Sequence, residues 1–289
     1  MSEVRSIGTS TQFCMVIGNP IAHSLSPAIH NAAYQALGLD FVYLACRVED
    51  VKHALAGMRA LSNFRGMSIT IPHKIEAMQY VDEIREVDRS IGSINTVVHE
   101  KDRLIGMGTD GPGALKALAD AQVALDGKHI LMLGAGGAAR MIAFTLVRNT
   151  KPERLSILDI NDELLSGLSA DLKAGTALSL QAATLTQRSL AMAMAEADVI
   201  IHCTSVGMHP KGDRSLVPAD LFRPGQVVFD IVYTPLETRL LADAGARGLQ
   251  TVSGVEMFVN QAVLQFEQFT GVDAPVEVMR QVVMEHLKR

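Results

Sequence analysis

A chain of 289 residues, 48% hydrophobic and 20% charged, is long enough for one large or two ordinary domains and too apolar for a disordered segment. Its formal net charge of −5, with no basic run or stripe, excludes a nucleic-acid footprint. The polar start from Met1 to Thr11 lacks the apolar core of a signal peptide, and no apolar run reaches the roughly 18 residues of a membrane span, so no membrane partner is expected.

Strand-like and helical patterns alternate along the chain. Strands are predicted at Phe13 to Ile17, Phe41 to Arg47 and Gly66 to Ile71, with helices at Pro27 to Leu37, Val51 to Leu61 and Pro72 to Met78. Ser93 to His99 and Arg103 to Met107 read as a hairpin. A second series starts after Asp110. Its strands are His129 to Leu133, Leu155 to Ile160, Val199 to Cys203, Val227 to Ile231 and Leu249 to Val252. Its helices are Gly113 to Gln122, Ala138 to Arg148, Glu163 to Lys173 and Leu236 to Arg247, followed by Met257 to Phe269 and Val276 to Lys288. This alternation predicts an α/β protein of two domains with mostly parallel sheets. The expected division is 1–112 plus 255–289, with the C-terminal helices packing back, and 113–254. Cys14, Cys46 and Cys203 lie in apolar strand-like runs without metal-ligand spacing. They predict buried free thiols, no metal site and a reducing, cytoplasmic setting.

The segment from His129 to Arg140 carries the first chemical signal. An apolar strand enters Gly134-Ala135-Gly136-Gly137-Ala138-Ala139 and a helix follows, the setting required of a dinucleotide-binding turn. Gly134 permits the tight turn, Gly136 lets the backbone approach a pyrophosphate, and the helix N-terminus supplies N–H donors. The alternative is a glycine turn with no ligand. The next strand ends in Asp159, 25 positions after Gly134, where a carboxylate can accept hydrogen bonds from both ribose hydroxyls. A 2′-phosphate there would face a like charge, and no arginine follows between Ile160 and Leu165, so NAD is expected over NADP. Asp159 also suits a helix N-cap. The loop after the strand at Val199, with Thr204, Ser205 and Met208, is small and hydroxylic enough to pass close to a cofactor.

Ser24 and Ser26, separated by one residue, stand just before a helix opened by Pro27. Their hydroxyls and the helix amides could hold a carboxylate, or Ser26 could simply cap the helix.

With these residues the sequence resembles the shikimate dehydrogenase family. The matches run in order through Ser68-Ile-Thr70-Ile-Pro72-His73-Lys74, Gly92-Ser-Ile-Asn95-Thr96, Gly108-Thr109-Asp110-Gly111 and the glycine turn. They continue through Cys203 to Ser205, Asp230-Ile-Val-Tyr233 to Thr238, and Gly254-Val-Glu256-Met257 to Gln261-Ala262. The resemblance implies an active site in a cleft between a substrate domain and a Rossmann-type NAD(P) domain. It implies that Ser24 and Ser26 bind the substrate carboxylate, and that Ser68, Thr70, Asn95, Tyr233 and Gln261 meet its hydroxyls. Lys74 would take the alcohol proton and Asp110 would share a substrate hydroxyl, while Gly254 and Met257 would join the cofactor contacts. His23, His30 and His73 stay outside this set.

Three positions depart from the family pattern. Ser68 and Gly108 stand where asparagines are expected, and Glu256 where glycine is expected. The first two suggest room for a larger ring, such as quinate. The expected activity is hydride transfer between NAD and the ring 3-hydroxyl of shikimate or quinate, by a monomer or homodimer. A ligand sensor on the same fold is the alternative, disfavoured because Lys74 and Asp110 are both present.

Overall fold

The computed structural model describes residues 7–210 and 212–288; the first six residues of the polar start lie outside them. The chain divides into two compact units, Met1–Thr109 with Gln261–Arg289, and Asp110–Asn260. Two glycines show how the segments beside these divisions are held. A Cβ on Gly111 would lie 2.1 Å from Thr145 Oγ1 and 2.6 Å from the Met141 carbonyl, so segment 110–112 is pressed onto the second unit. A Cβ on Gly254 would lie 2.5 Å from the Ile231 and Val232 carbonyls, which ties the segment from 254 there as well.

The first unit contains β1 (Gln12–Gly18), α1 (Ser26–Ala36), β2 (Phe41–Arg47), α2 (Val51–Arg59) and β3 (Phe64–Ile69). The short β4 (Glu83–Ile84) and α3 (Glu86–Arg89) and the hairpin of β5 (Thr96–Glu100) and β6 (Arg103–Met107) follow. The sheet order is β2-β1-β3-β5-β6-β4. Strands β2, β1 and β3 pair in parallel, as do β4 and β6, while β5 is antiparallel to both β3 and β6, so this sheet is mostly parallel with one antiparallel insertion. The hairpin is closed by Lys101 and Asp102, both at positive φ, the backbone a two-residue turn between twisted strands needs. Central β1 is buried from Cys14 to Gly18, which explains its unbroken apolar run. Met15, Ile17, Leu55, Phe64, Met67 and Ile94 form the core on one face.

The second unit contains α4 (Asp110–Asp120), β7 (His129–Leu133), α5 (Gly137–Asn149), β8 (Arg154–Asp159), α6 (Asp162–Gly175), β9 (Ser179–Thr184) and α7 (Gln187–Glu196). It continues with β10 (Val199–His202), β11 (Val227–Asp230), α8 (Arg239–Ala246) and β12 (Gln250–Ser253). The order is β12-β11-β10-β7-β8-β9, parallel throughout. The chain reverses direction across the sheet between β7 and β10, the switch point where open α/β sheets take their ligands. Helix α9 (Gly254–Thr270) begins in this unit and ends in the first, followed by α10 (Val276–Leu287), which packs on α1.

Two elements of the second unit left no clear pattern in the sequence. β9 is an edge strand whose residues are mostly exposed, so it lacks apolar alternation. α7 buries only Leu190 and Met194 and relies on a capping box in which Thr186 and Ser189 exchange hydrogen bonds. Conversely, the helix expected from Pro72 to Met78 is a set of turns ending in a single 3-10 turn, Glu76–Gln79. The Lys74 carbonyl accepts from Ile94 N–H at 2.9 Å instead of from its own helix, so a tertiary bond overrides the local propensity. Cys14 is buried, whereas Cys46 and Cys203 are only partly so; all three are free. No helix among the described residues is long and apolar enough to cross a membrane.

His30 of α1 is completely buried, stacked on Tyr43 with ring centroids 4.2 Å apart, and neither ring nitrogen has a hydrogen-bond partner. Burial lowers its pKa from 6.5 to about 3. The folded state therefore excludes a proton that the unfolded chain accepts below pH 6.5. The resulting stability is fully present above that pH and is lost as pH falls toward 3. Going from pH 7 to pH 5 should remove about 2 kcal/mol. Urea denaturation at the two pH values checks this, and His30→Phe should flatten the dependence; an equally steep loss in that variant would overturn it.

Candidate active site

Parallel β1 and β3 lie side by side, so both deliver their carboxyl ends to one edge of the first sheet. Antiparallel β5 starts at that edge, with Ser68 opposite Thr96 and Ile69 N–H donating to the Asn95 carbonyl at 2.7 Å. β6 ends there, opposite Thr96. Ser24 and Ser26 follow β1, Thr70 and Lys74 follow β3, and Asn95 precedes β5. The structure thus collects these residues on one edge. Gly18 is needed at this point, because a Cβ would lie 2.4 Å from Thr70 Cγ2.

The two serines differ in role. Ser26 is the first residue of α1 and is buried, and it does not cap the helix. The Ser24 hydroxyl instead accepts from Ser26 N–H, at a weak 3.3 Å. Leu25 is the N-cap and no side chain caps α1, so the capping alternative for Ser26 does not hold.

Ser68 is buried at 6% exposure. It donates to Gln265 Oε1 at 2.6 Å, and so accepts from the Tyr43 hydroxyl at 2.5 Å. Gln265 Nε2 donates on to Thr96 Oγ1 at 2.9 Å. Asn95 Oδ1 in turn accepts from Thr96 Oγ1 at 3.1 Å and from Thr109 N–H at 2.7 Å, while its Nδ2 donates to Thr109 Oγ1 at 2.9 Å. Thr109 Oγ1 lies 3.5 Å from Gln261 Oε1, which brings Gln261 beside Asn95. In this chain the Ser68 hydroxyl is engaged within the protein, by Gln265 and Tyr43. The sequence reading missed both residues. Gln265 had a usable signal, since it lies one helical turn from Gln261.

Lys74 is partly buried on the turn after β3. Beside it His73, 2% exposed, donates Nε2–H to the Val48 carbonyl at 2.8 Å, which anchors the turn and fits its place outside the catalytic set.

In the second unit the candidates other than Asp110 lie at or after the carboxyl ends of parallel strands. The turn at Gly134 leaves β7, Asp159 ends β8, Thr204 follows β10 and Tyr233 follows β11. Gly134 has φ +113, and a Cβ there would lie 3.0 Å from the Cys203 carbonyl and 3.2 Å from Thr204 Cγ2. Only glycine combines that backbone with that contact. A Cβ on Gly136 would meet nothing within 4 Å, and α5 starts without a side-chain cap. An open backbone face with uncapped amides fits a pyrophosphate. Asp159 accepts from Ala135 N–H at 2.6 Å and from Asn161 N–H at 2.7 Å, so it braces the turn from the next strand. The N-cap of α6 is Asn161, not Asp159. Ser205 and Met208 are exposed, and Gly137 and Ala138 are partly so. The Thr204 hydroxyl points to His202 Nε2, at 2.6 Å. Tyr233 stacks on Phe258 at 4.3 Å, and burial pushes its hydroxyl up to about 12. Gly254 is held by packing, and Met257 is buried beside it. Asp110, 6% exposed, opens α4. Among the described residues no three His, Cys, Asp or Glu side chains could hold a metal ion.

Comparison with known proteins gives matches along nearly the whole chain. The family description "Shikimate dehydrogenase substrate binding domain" matches residues 16–97, and "Shikimate 5'-dehydrogenase C-terminal domain" matches 254–284. The shikimate dehydrogenase (NADP(+)) of Bacillus subtilis (strain 168) is 43% identical over 277 residues, covering 94% of this chain and 96% of its own. A shikimate 5-dehydrogenase from Listeria monocytogenes, solved with shikimate and NAD, superposes with TM-score 0.88 at 34% identity, covering 97% and 99% of the two chains. A quinate dehydrogenase from Corynebacterium glutamicum, solved with NAD, does so with TM-score 0.86 at 27% identity, covering 95% and 99%.

The buried network generates one prediction. Ser68→Ala leaves the Tyr43 hydroxyl and Gln265 Oε1 without partners, which costs about 1–3 kcal/mol. Chemical denaturation should register that loss; an unchanged midpoint and slope would mean that Ser68 is not bonded inside the protein.

Proposed function

The chain belongs to the shikimate dehydrogenase family, and we propose that it exchanges a hydride between a nicotinamide dinucleotide and the ring 3-hydroxyl of shikimate or quinate. The observation that carries this reading is the gathering of Ser24, Ser26, Thr70, Lys74, Asn95 and Gln261 on one edge of the first sheet. These are the residue types that a carboxylate and several ring hydroxyls require. Ser24 and Ser26, beside the amides opening α1, take the carboxylate. Thr70, Asn95 and Gln261 take ring hydroxyls, and Tyr233 takes another polar group of the substrate. Lys74 in its neutral form accepts the proton released as the alcohol becomes a ketone, and returns it in the reverse direction. Asp110 accepts a hydrogen bond from a substrate hydroxyl.

The bound dinucleotide supplies the hydride acceptor. The chain's part is to hold it, through the turn from Gly134 to Ala138, the Asp159 carboxylate, and the loops bearing Thr204, Ser205, Met208, Gly254 and Met257. NAD is the preferred form in this reading, although the Bacillus subtilis relative is named for NADP(+). Asp159 places a negative charge at the ribose end, and Arg140, the arginine nearest the turn, is ion-paired with Asp171. A 2′-phosphate about 4 Å from Asp159 would be repelled by up to ~4 kcal/mol per charge pair at an effective dielectric of 20.

Steady-state assays with each dinucleotide against shikimate and quinate test the activity, and the absence of turnover with all four pairs would overturn it. Lys74→Ala should lower kcat by about 10²–10⁴-fold. A change confined to KM would make Lys74 a binding residue. Asp159→Asn should narrow the gap between NAD and NADP, and equal efficiency with both in the unaltered chain would refute the preference.

A further inference from the structure

The last residue of β10 and the last residue of β11 are both polar and both buried: His202 is 1% exposed and Asp230 0%. They lie directly opposite each other in the parallel pair. His202 Nδ1 is 2.9 Å from Asp230 Oδ1, and Nε2 is 2.6 Å from Thr204 Oγ1. A carboxylate accepts, so Nδ1 carries the proton. Nε2 then has a lone pair, and the Thr204 hydroxyl donates to it. Thr204 Oγ1 also accepts from Val206 N–H at 3.2 Å, which closes the loop over it. With the hydroxyl turned inward, the Thr204 methyl is what faces the dinucleotide turn, at 3.2 Å from a Cβ built on Gly134.

Asp230 organises a second loop with its remaining capacity. Oδ1 accepts from Val232 N–H at 3.0 Å, next to Tyr233, and Oδ2 accepts from Thr238 Oγ1 at 2.6 Å. Thr238 in turn caps α8 through Leu241 N–H. One buried carboxylate thus ties down both loops that leave β10 and β11, one directly and one through an imidazole.

Resting on the functional reading above, we infer that His202 and Asp230 are positioning residues for dinucleotide binding: they lock Thr204 so that its loop fits against the Gly134 turn. The acid–imidazole–hydroxyl order is that of a hydrolase triad, but the Thr204 oxygen lies beneath its own loop, bonded on two sides, and holds rather than attacks. The locked methyl leaves the turn at a fixed height. Releasing it lets the loop shift at the switch point, where a displacement of one carbonyl, that of Cys203, reaches Gly134 directly.

The test is direct titration of NADH and NADPH into the intact chain, followed by fluorescence, with melting curves and the KM for shikimate alongside. Thr204→Val preserves the methyl and the volume but removes the donor; it should weaken binding of the better dinucleotide by roughly tenfold, about one buried hydrogen bond. The KM for shikimate, extrapolated to saturating dinucleotide, should stay within about twofold, a split that general loss of structure would not produce. Thr204→Ser, which keeps the hydroxyl but loses the methyl, should bind more tightly than Thr204→Val. His202→Gln, which can offer an amide oxygen to Thr204, should bind more tightly than His202→Leu. The double variant His202→Leu, Thr204→Val should bind no worse than His202→Leu alone, because both remove one interaction. Undiminished binding by Thr204→Val, or additive losses in the double variant, would overturn the relay. If the unaltered chain bound neither dinucleotide, the functional reading itself would fall, a result distinct from equal binding by all variants.

Discussion

Parallel strand pairing is the constraint on which both sites depend. A parallel pair cannot be joined by a tight turn, so each crossover returns the chain to the same starting edge and every strand exits at the opposite one. In the second unit this stacks four loops on one edge, and the reversal between β7 and β10 opens the sheet there. In the first unit β1 and β3 obey the same rule, and the antiparallel β5 and β6 add the segment from Asn95 and the segment to Thr109 at that edge. Polar residues far apart in sequence are neighbours because strand direction leaves no alternative.

Close backbone approach is the second requirement. At Gly18, Gly111 and Gly254 a side chain would collide with backbone or with a neighbouring β-carbon substituent at 2.1–2.6 Å, on the segments of Thr70, of α5 and of the loop before Tyr233 respectively. Gly134 adds a positive φ to the same requirement. These glycines are fixed by packing before any ligand is considered, and they set how near the site-bearing loops come to one another within each unit.

Beneath each strand edge lies a buried polar network. In the first unit it runs from Tyr43 through Ser68, Gln265 and Thr96 to Asn95 and Thr109. In the second it radiates from Asp230 through His202 and Thr238. A buried polar atom left without a partner is costly, so such chains hold few alternative geometries. That rigidity fixes the ends of the networks, Asn95 on one sheet and the Thr204 loop on the other. Here, too, the departure at Ser68 finds its physical account: a shorter side chain is matched by a glutamine and a tyrosine that meet it.

The sequence alone determined the α/β class, the dinucleotide turn at Gly134 and nearly all of the strands and helices, because these depend on local periodicity and on the special backbone freedom of glycine. Its ordered motifs also indicated the family. Edge strand β9 and helix α7 escaped, since neither has enough buried apolar residues to leave a pattern. The turns replacing the helix expected after Pro72 depend on a hydrogen bond from Ile94, some twenty residues away, which no local window contains. The same holds for the partners of the site. That Ser68 is bonded to Gln265, that Asn161 rather than Asp159 caps α6, and that His202 stands between Asp230 and Thr204 are facts of three-dimensional neighbourhood. Tertiary structure decided them because a side-chain hydrogen bond needs its donor and acceptor within about 3 Å, and only the folded chain sets that distance.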